Sequence, residues 1–252
     1  MPEPTPSSDR ALQALSDSIG GARTRRPEDA TDPAIPVAAT VVLLRDAGDG
    51  LEVLMIERPD RGSFAGAWVF PGGKLEDADR GAEGDPEEAV ARRAGVRETH
   101  EETGLALDVD ALVTLSCWDP PPGLALRIRT WFFVAQAAAG AITLSADEAV
   151  AAEWLRPADA LARHGRGGLT LYPPTWVTLH GLAEHADVDS VVGAVRLRGV
   201  ERFETVARRG GEGPLLMWQG DDEWEADAEG AASGSRHRLE IGALPWRYER
   251  TD

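Results

Sequence analysis

The chain of 252 residues holds one cysteine, Cys117, one lysine, Lys74, and two tyrosines. A lone cysteine has no partner for a disulfide within the chain and argues against a thiolate metal site, and a reducing, cytoplasmic setting is the expectation. With one lysine, arginine carries nearly all the positive charge, and no basic cluster interrupts the formal net charge of −17. Such a surface repels nucleic acid and anionic membranes, so neither is an expected partner. No apolar run approaches the roughly 20 residues that span a bilayer; the longest, Ile35 to Leu44, reads as a strand. The start of the chain is polar and proline-rich and lacks an apolar signal-peptide core. The acidic balance would also repel an anionic phosphate ligand unless cations bridge the two, which is a first argument for bound metal.

The stretch present in their place is Arg97 to Leu105, R-E-T-H-E-E-T-G-L, downstream of Phe70-Pro71-Gly72-Gly73. On a helix, side chains three or four apart share a face. Glu98, Glu101 and Glu102 therefore project as one carboxylate cluster, with Glu98 and Glu102 stacked one turn apart. Like charges at that spacing weaken an isolated helix, whereas a hard divalent cation would turn the repulsion into coordination. Gly104 supplies the permissive residue just past the helix end. The plainer reading is a solvated acidic face ending at a glycine; the Gly-Gly after a short strand favours the site.

Residues 1–34 hold Pro, Ser, Asp, Arg and Gly with little periodicity and read as a mobile tail, with a short helix around Arg10 to Ile19. Ile35 to Leu44 and Leu51 to Glu57 read as two strands of a hairpin turning at Asp46 to Gly50. Arg58 to Gly66 is a loop and Ala67 to Phe70 a short strand. Asp85 as N-cap and Pro86 at the first position start a helix running to about Thr103, with Ala89, Val90 and Ala94 toward the core and Gly95 a local weakness. Strands follow over Leu105 to Cys117, Leu124 to Gln136, Ala141 to Leu144 and Glu153 to Leu155. Helices follow over Pro157 to His164 and Pro174 to Ala186. Leu215 to Trp218 and Arg236 to Tyr248 look like strands around an acidic loop. Strands on both sides of one long helix suggest a mixed sheet covered by helices.

Arg97, Glu98, Glu101, Glu102, Gly104 and Leu105 resemble the second half of the Nudix box, G-x5-E-x7-R-E-U-x-E-E-x-G-U, with U bulky and apolar. Counting from Gly73, Asp79 stands where the box has its first glutamate, and 17 residues separate it from Arg97 where the pattern has seven. Thr99 occupies the first U position. The resemblance implies an α+β fold, the Nudix α/β/α sandwich with a mixed sheet and the box as loop–helix–loop. It places the Nudix domain at 35–186, with 187–252 an extension packed on it.

The resemblance also implies a Mg²⁺-dependent hydrolase, with Mn²⁺ as the other candidate ion, cleaving a nucleoside diphosphate linked to another moiety. Glu98, Glu101 and Glu102 carry over as metal ligands and catalytic groups, with the Gly73 carbonyl as a backbone ligand. Glu98 and Glu102 are favoured as principal ligands because they stack. Arg97 carries over as the brace of the box, paired with Asp79, Glu87 or Glu88. Glu148, in the loop before Glu153-Trp154-Leu155, is the candidate general base. Arg58 and Arg61 are chemically reasonable phosphate clamps, and Trp68 is placed to stack on a base or ring. His100, His180 and His185 are read as non-catalytic, and most of the tryptophans as core. The loop R-P-D-R-G-S-F-A-G-A-W-V-F-P-G-G resembles that of the coenzyme A diphosphatase branch, and the long box insertion and Pro173-Pro174-Thr175 are similar to its peroxisomal relatives. Coenzyme A or an acyl derivative is thus one candidate substrate, beside ADP-ribose, dinucleotides and nucleoside triphosphates. A homodimer is the assembly that the resemblance suggests. The stretched first half of the box supports a second reading, a nucleotide-binding regulatory module without turnover.

Overall fold

A computed structural model describes residues 17, 19, 21–62, 64–138, 140–145, 147–211, 213–225 and 234–251. Val37–Ala47 (β1) and Gly50–Glu57 (β2) form a hairpin closed at the Ala47–Gly50 pair. The turn ends on Gly50 at φ +112°, a backbone region that L side chains rarely adopt. Trp68–Val69 (β3) pairs with β2, and Gly72–Lys74 (β4) lies antiparallel along the start of β1. Val113–Asp119 (β5), Arg129–Gln136 (β6), Ala151–Leu155 (β7) and Glu201–Glu204 (β8) complete a mixed eight-stranded sheet. Its order is β3-β2-β1-β6-β5-β8, with β4 on β1 and β7 on β2. The β1–β6 and β5–β8 pairs are parallel and the others antiparallel.

Both faces of the sheet are covered. Val41 to Leu44 in β1 are 0% exposed, the continuous burial of a central strand whose alternate side chains enter different cores. Val41 and Leu43 pack with Ala91 and Ala94 of helix α1 (Glu87–Thr103). Val42 and Leu44 belong to a second, larger core. That core takes in Leu179 of α3 (Pro173–Leu182) and Val191 of α4 (Val188–Arg198). It also includes Ala160 of α2 (Pro157–Gly165). The arrangement is the α+β sandwich with a mixed sheet that the resemblance implies. A second sheet, ordered β12-β11-β10-β9, comprises β9 (Val206–Gly210), β10 (Gly213–Met217), β11 (His237–Glu240) and β12 (Arg247–Arg250). Through Leu216, Trp218, Leu239 and Trp246 it shares the larger core, while β8 joins the main sheet beside β5.

Several expectations change. The tail expected over 1–34 falls partly outside the described residues, as does most of the helix expected at Arg10 to Ile19. From residue 21 onward it is packed: Pro27–Thr31 forms a 3-10 helix, Arg23 grips Asp29 at 2.6 Å and 2.9 Å, and the Ala30 carbonyl accepts from Arg129. Asp85 does not cap α1. Its carboxylate turns back to accept from Gly81 N–H, Ala82 N–H and Arg93, and Pro86 stands at the cap. Ala91 rather than Ala89 joins the core. Gly95 lets the helix approach the sheet closely, since a Cβ there would lie 3.0 Å from the Val41 side chain. No strand forms over Ala141 to Leu144; Thr143 and Ser145 N–H instead cap the Thr103 and Glu102 carbonyls at the end of α1. Residues 105–112 precede β5 as a loop and a 3-10 turn. The helix expected over Pro174 to Ala186 stops at Leu182, and α4 begins after Asp187, whose side chain accepts from Ser190 N–H. No described helix is long and apolar enough to cross a membrane.

His164 is 2% exposed at the end of α2, edge-on to the Trp246 ring, and burial pushes its imidazole down to about 4. A folded pKa below the unfolded value of about 6.5 means that the unfolded chain binds the proton first, so stability is lost as pH falls below about 6.5. Between pH 7.5 and 5, the wild type should lose about 2 kcal/mol more than His164→Phe in urea unfolding. Equal losses would show that the imidazole does not stay neutral in the fold.

Candidate active site

The last two turns of α1 present Arg97, Glu98, Glu101 and Glu102 toward β4. Antiparallel pairing with β1 brings β4 under the helix, and only glycine fits there. A Cβ on Gly72 would meet the Ala39 carbonyl at 2.2 Å, and one on Gly73 would meet the Glu98 carboxyl group at 2.4 Å. Gly72 N–H donates to Glu102 Oε2 at 2.7 Å.

Arg97 joins the parts. Its Nε and Nη2 donate to the two oxygens of Asp79, each at 3.0 Å, and Nη2 also donates to the Lys74 carbonyl. Nη1 donates to both Glu98 Oε1 and Glu101 Oε2 at 2.9 Å. Burial works against the Asp79 charge, but hydrogen bonds from Arg97 and Glu76 N–H and the charges of Arg97 and Arg93 outweigh it and hold the carboxyl below its ordinary value. Of the three acids proposed to brace Arg97, only Asp79 does so. Glu88 instead accepts from Arg92 and Thr114, and Glu87 from Arg129 and Trp131, because both face β5 and β6 one or more turns earlier.

Glu102 is 3% exposed, and burial chiefly raises its pKa to about 8, against the opposing bond from Gly72 N–H. Burial likewise raises Glu98, opposed by Arg97. Glu148 is exposed on its loop, near enough for its charge to add to the rise at both carboxyls. Among the described residues, no group of three or more His, Cys, Asp or Glu side chains is arranged to hold a metal. Glu98 and Glu101 are turned onto one arginine nitrogen and Glu102 onto a backbone N–H. The donors are nonetheless all oxygen, and two of the carboxyls lie where burial disfavours their charge. The set thus fits a hard divalent cation in kind.

The remaining candidates lie apart. Arg58 lines a large cavity beside Gly72 and Gly73; its Nε is buried without a hydrogen-bond partner, and its charge reaches Glu102. Arg61 is exposed and bonds the Asp147 carbonyl at 2.9 Å, tying its loop to the one that carries Glu148. Trp68 is 8% exposed and lies in the larger core with Phe70, two residues along the same strand face, beneath the Arg163 guanidinium. It is not among the residues that line the cavity. Lys74, the lone lysine beside the Gly-Gly turn, also lines the cavity.

If Arg97 and Asp79 act as a single buried unit, Arg97→Met should cost about 3–5 kcal/mol in urea unfolding by leaving Asp79 without its counter-charge. Adding Asp79→Asn should recover a large part of that loss. A cost under about 1 kcal/mol would mark an ordinary surface pair.

A family model of the NUDIX domain matches residues 34–173. No curated protein matches the chain. A solved NUDIX hydrolase from Alicyclobacillus acidocaldarius aligns with TM-score 0.56 and 23% identity, over 63% of this chain and 96% of its own. At that identity the likeness shows a shared fold. The NUDIX domain of NrtR from Shewanella oneidensis, complexed with ADP ribose, aligns with TM-score 0.47 and 17% identity over 62% of this chain and 90% of its own. A MutT NUDIX hydrolase from Burkholderia pseudomallei aligns with TM-score 0.41 and 25% identity, over 57% and 95%.

Proposed function

The chain belongs to the Nudix family of hydrolases acting on pyrophosphate bonds, and we propose that its substrate is a nucleoside diphosphate linked to a second moiety. Coenzyme A or an acyl-CoA, ADP-ribose and a dinucleotide are the candidates. The observation that carries this reading is the buried Glu102 carboxyl, held by Gly72 N–H, beside the half-buried Glu98 carboxyl, which Arg97 braces together with Asp79.

Glu98 and Glu102, with Glu101 and the Gly73 carbonyl, would hold Mg²⁺ or Mn²⁺. Once bound, such an ion supplies neutralisation of the phosphate charge and a lowered pKa for an attacking water. The chain's own residues do the rest. Gly72 N–H orients the Glu102 carboxyl, and Gly73 keeps the space at Glu98 clear. Arg97 fixes Glu98 and Glu101 relative to β4 and to the inserted loop. Arg58, with a buried Nε that lacks an acceptor, offers a hydrogen bond and a full charge to a phosphate oxygen. Glu148 is the group assigned to take the proton of the attacking water, since it is exposed and lies on the loop that Arg61 tethers. Water adds to one phosphorus as the bridging P–O bond breaks, giving two phosphate monoesters, and Arg58 would stabilise the charge on the one that leaves. The single buried Cys117, its thiol pushed up to about 12 chiefly by burial, takes no part, and it is in keeping with a reducing, cytoplasmic setting.

Glu102→Gln keeps an acceptor for Gly72 N–H and the volume of the side chain. It should lower turnover of a diphosphate panel in Mg²⁺ by roughly 100-fold or more while leaving the melting temperature near that of wild type. Full activity in that variant would remove Glu102 from the ligand set. Glu148→Gln should lower kcat roughly 100-fold with little change in KM; an unchanged kcat would reassign the base.

A further inference from the structure

The cavity beside Gly72 and Gly73, about 920 Å³, is lined from the main sheet, from Leu216 of β10 and from the two loops that carry Phe64 and Tyr172. Phe64 differs from its neighbours there in its backbone. Its φ is +59°, and among the described residues it is the one residue other than glycine with a positive φ. That region sets Cβ against the following carbonyl, so a bulky residue stays in it only where its surroundings over-determine the conformation. Gly62 and Gly66, two residues to either side, are left-handed as well, at +72° and +66°, and carry no such penalty. Strain is kept at the one position of the three that has a side chain, which marks the side chain as what the loop retains it for.

The Phe64 ring meets the Tyr172 ring edge-on, with centroids 4.6 Å apart and planes at 88°, a favoured aromatic geometry. Tyr172 is itself fixed. It is the N-cap of α3, its carbonyl accepts from Trp176 N–H, and the Leu171 N–H before it donates to the buried His164. The loop closes on itself behind the Phe64 ring. Arg58 N–H donates to the Ala67 carbonyl, Ala67 N–H to the Phe64 carbonyl, and the Arg61 and Gly66 N–H groups to the Pro59 carbonyl. Three residues before Phe64, the Arg61 guanidinium donates to the Asp147 carbonyl at 2.9 Å and pairs with the Asp147 carboxylate at 3.6 Å. Glu148 is the next residue. The Arg61 and Asp147 side chains are 67% and 96% exposed, and a pair so open to water fixes little by itself. It holds position only when the backbone behind it is already held.

We propose that Phe64 is a positioning residue for the hydrolysis: its ring, seated on Tyr172 with a strained backbone, holds the Arg61 tether and through it the segment that carries Glu148. The inference rests on the hydrolase reading with Glu148 as base, and it adds the contact that sets where that base stands. The held segment is short. Glu148 and Ala149 N–H both donate to the Ser145 carbonyl, and Val150 N–H donates to the Glu57 carbonyl at the end of β2. Between those bonds, the Asp147 carbonyl is the group that Arg61 takes. Phe64 and Tyr172 both line the cavity, so whatever fills it bears on the same contact that fixes the base.

The test compares variants on ADP-ribose, coenzyme A and a dinucleotide in Mg²⁺. Phe64→Gly removes the ring and the strain, Phe64→Ala removes the ring alone, Phe64→Tyr keeps both, and Arg61→Met removes the tether. Phe64→Gly should melt several degrees above Phe64→Ala, since alanine at a positive φ keeps the penalty. Both should nonetheless lower kcat by roughly ten-fold or more with KM little changed, while Phe64→Tyr keeps the wild-type kcat. Combining Phe64→Gly with Arg61→Met should lower kcat no further than the larger single loss, because the two act through one path. Hydrogen exchange gives a readout apart from turnover: the Glu148 and Ala149 amides should exchange faster in Phe64→Gly and Arg61→Met than in wild type. Wild-type kcat in Phe64→Gly, a rise in KM alone, losses that multiply in the double variant, or unchanged exchange at Glu148 and Ala149 overturns the proposal and leaves the hydrolase reading standing. If wild type turns over none of these diphosphates, the hydrolase reading falls; faster exchange in both variants then still supports the hold of Phe64 on the Glu148 segment, and equal exchange overturns it.

Discussion

The site depends on one guanidinium. Arg97 spends its hydrogen bonds on Asp79 from two sides, on Glu98 and Glu101, and on the Lys74 carbonyl. Three carboxylates from two segments converge there, and without a shared cation they would repel one another. Because the Asp79 contact is bidentate, it sets the direction as well as the distance of the loop. The Lys74 contact anchors the same arginine to β4. Helix, inserted loop and glycine strand are thereby held in one frame.

That frame explains how a lengthened box loop is tolerated. Extending a loop adds only slowly to the entropy of closing it, provided its ends remain pinned. Here Asp79 is pinned by Arg97 at one end, while Asp85 gathers Gly81 N–H, Ala82 N–H and Arg93 just ahead of α1. The Asp79 carbonyl also accepts from Arg93. The extra residues form a small self-satisfied unit at the surface, and the helix keeps its position.

The two glycines separate two environments. On the helix side, burial pushes Glu98 and Glu102 toward neutrality, an arrangement that makes a cation the natural third party. On the other side, stacked aromatic rings with their indole N–H groups turned into the protein make an apolar compartment. The C-terminal extension shares the larger core from Phe203 to Trp246 and is thereby part of the fold.

Local sequence determined the hairpin at Gly50, the helix ending at Gly104 and the i, i+4 pairing of Glu98 with Glu102, since each is set by residues within a turn of one another. It also marked Gly72 and Gly73 as special. Tertiary structure decided the rest, because it turned on contacts between distant segments. Asp79 rather than Glu87 or Glu88 reaches Arg97, since the segment after β4 folds back onto that face of α1 while Glu87 and Glu88 face β5 and β6. Trp68 is drawn into the core by the same strand alternation that buries Phe70. Gly95, poor for an isolated helix, is what lets α1 lie close on Val41. The C-terminal strands, with short apolar runs and no strong period, take shape only by pairing with β5 and packing on Trp118. Their place in the cavity wall could not be read from composition, because a half-buried strand acquires its meaning from the surface it covers.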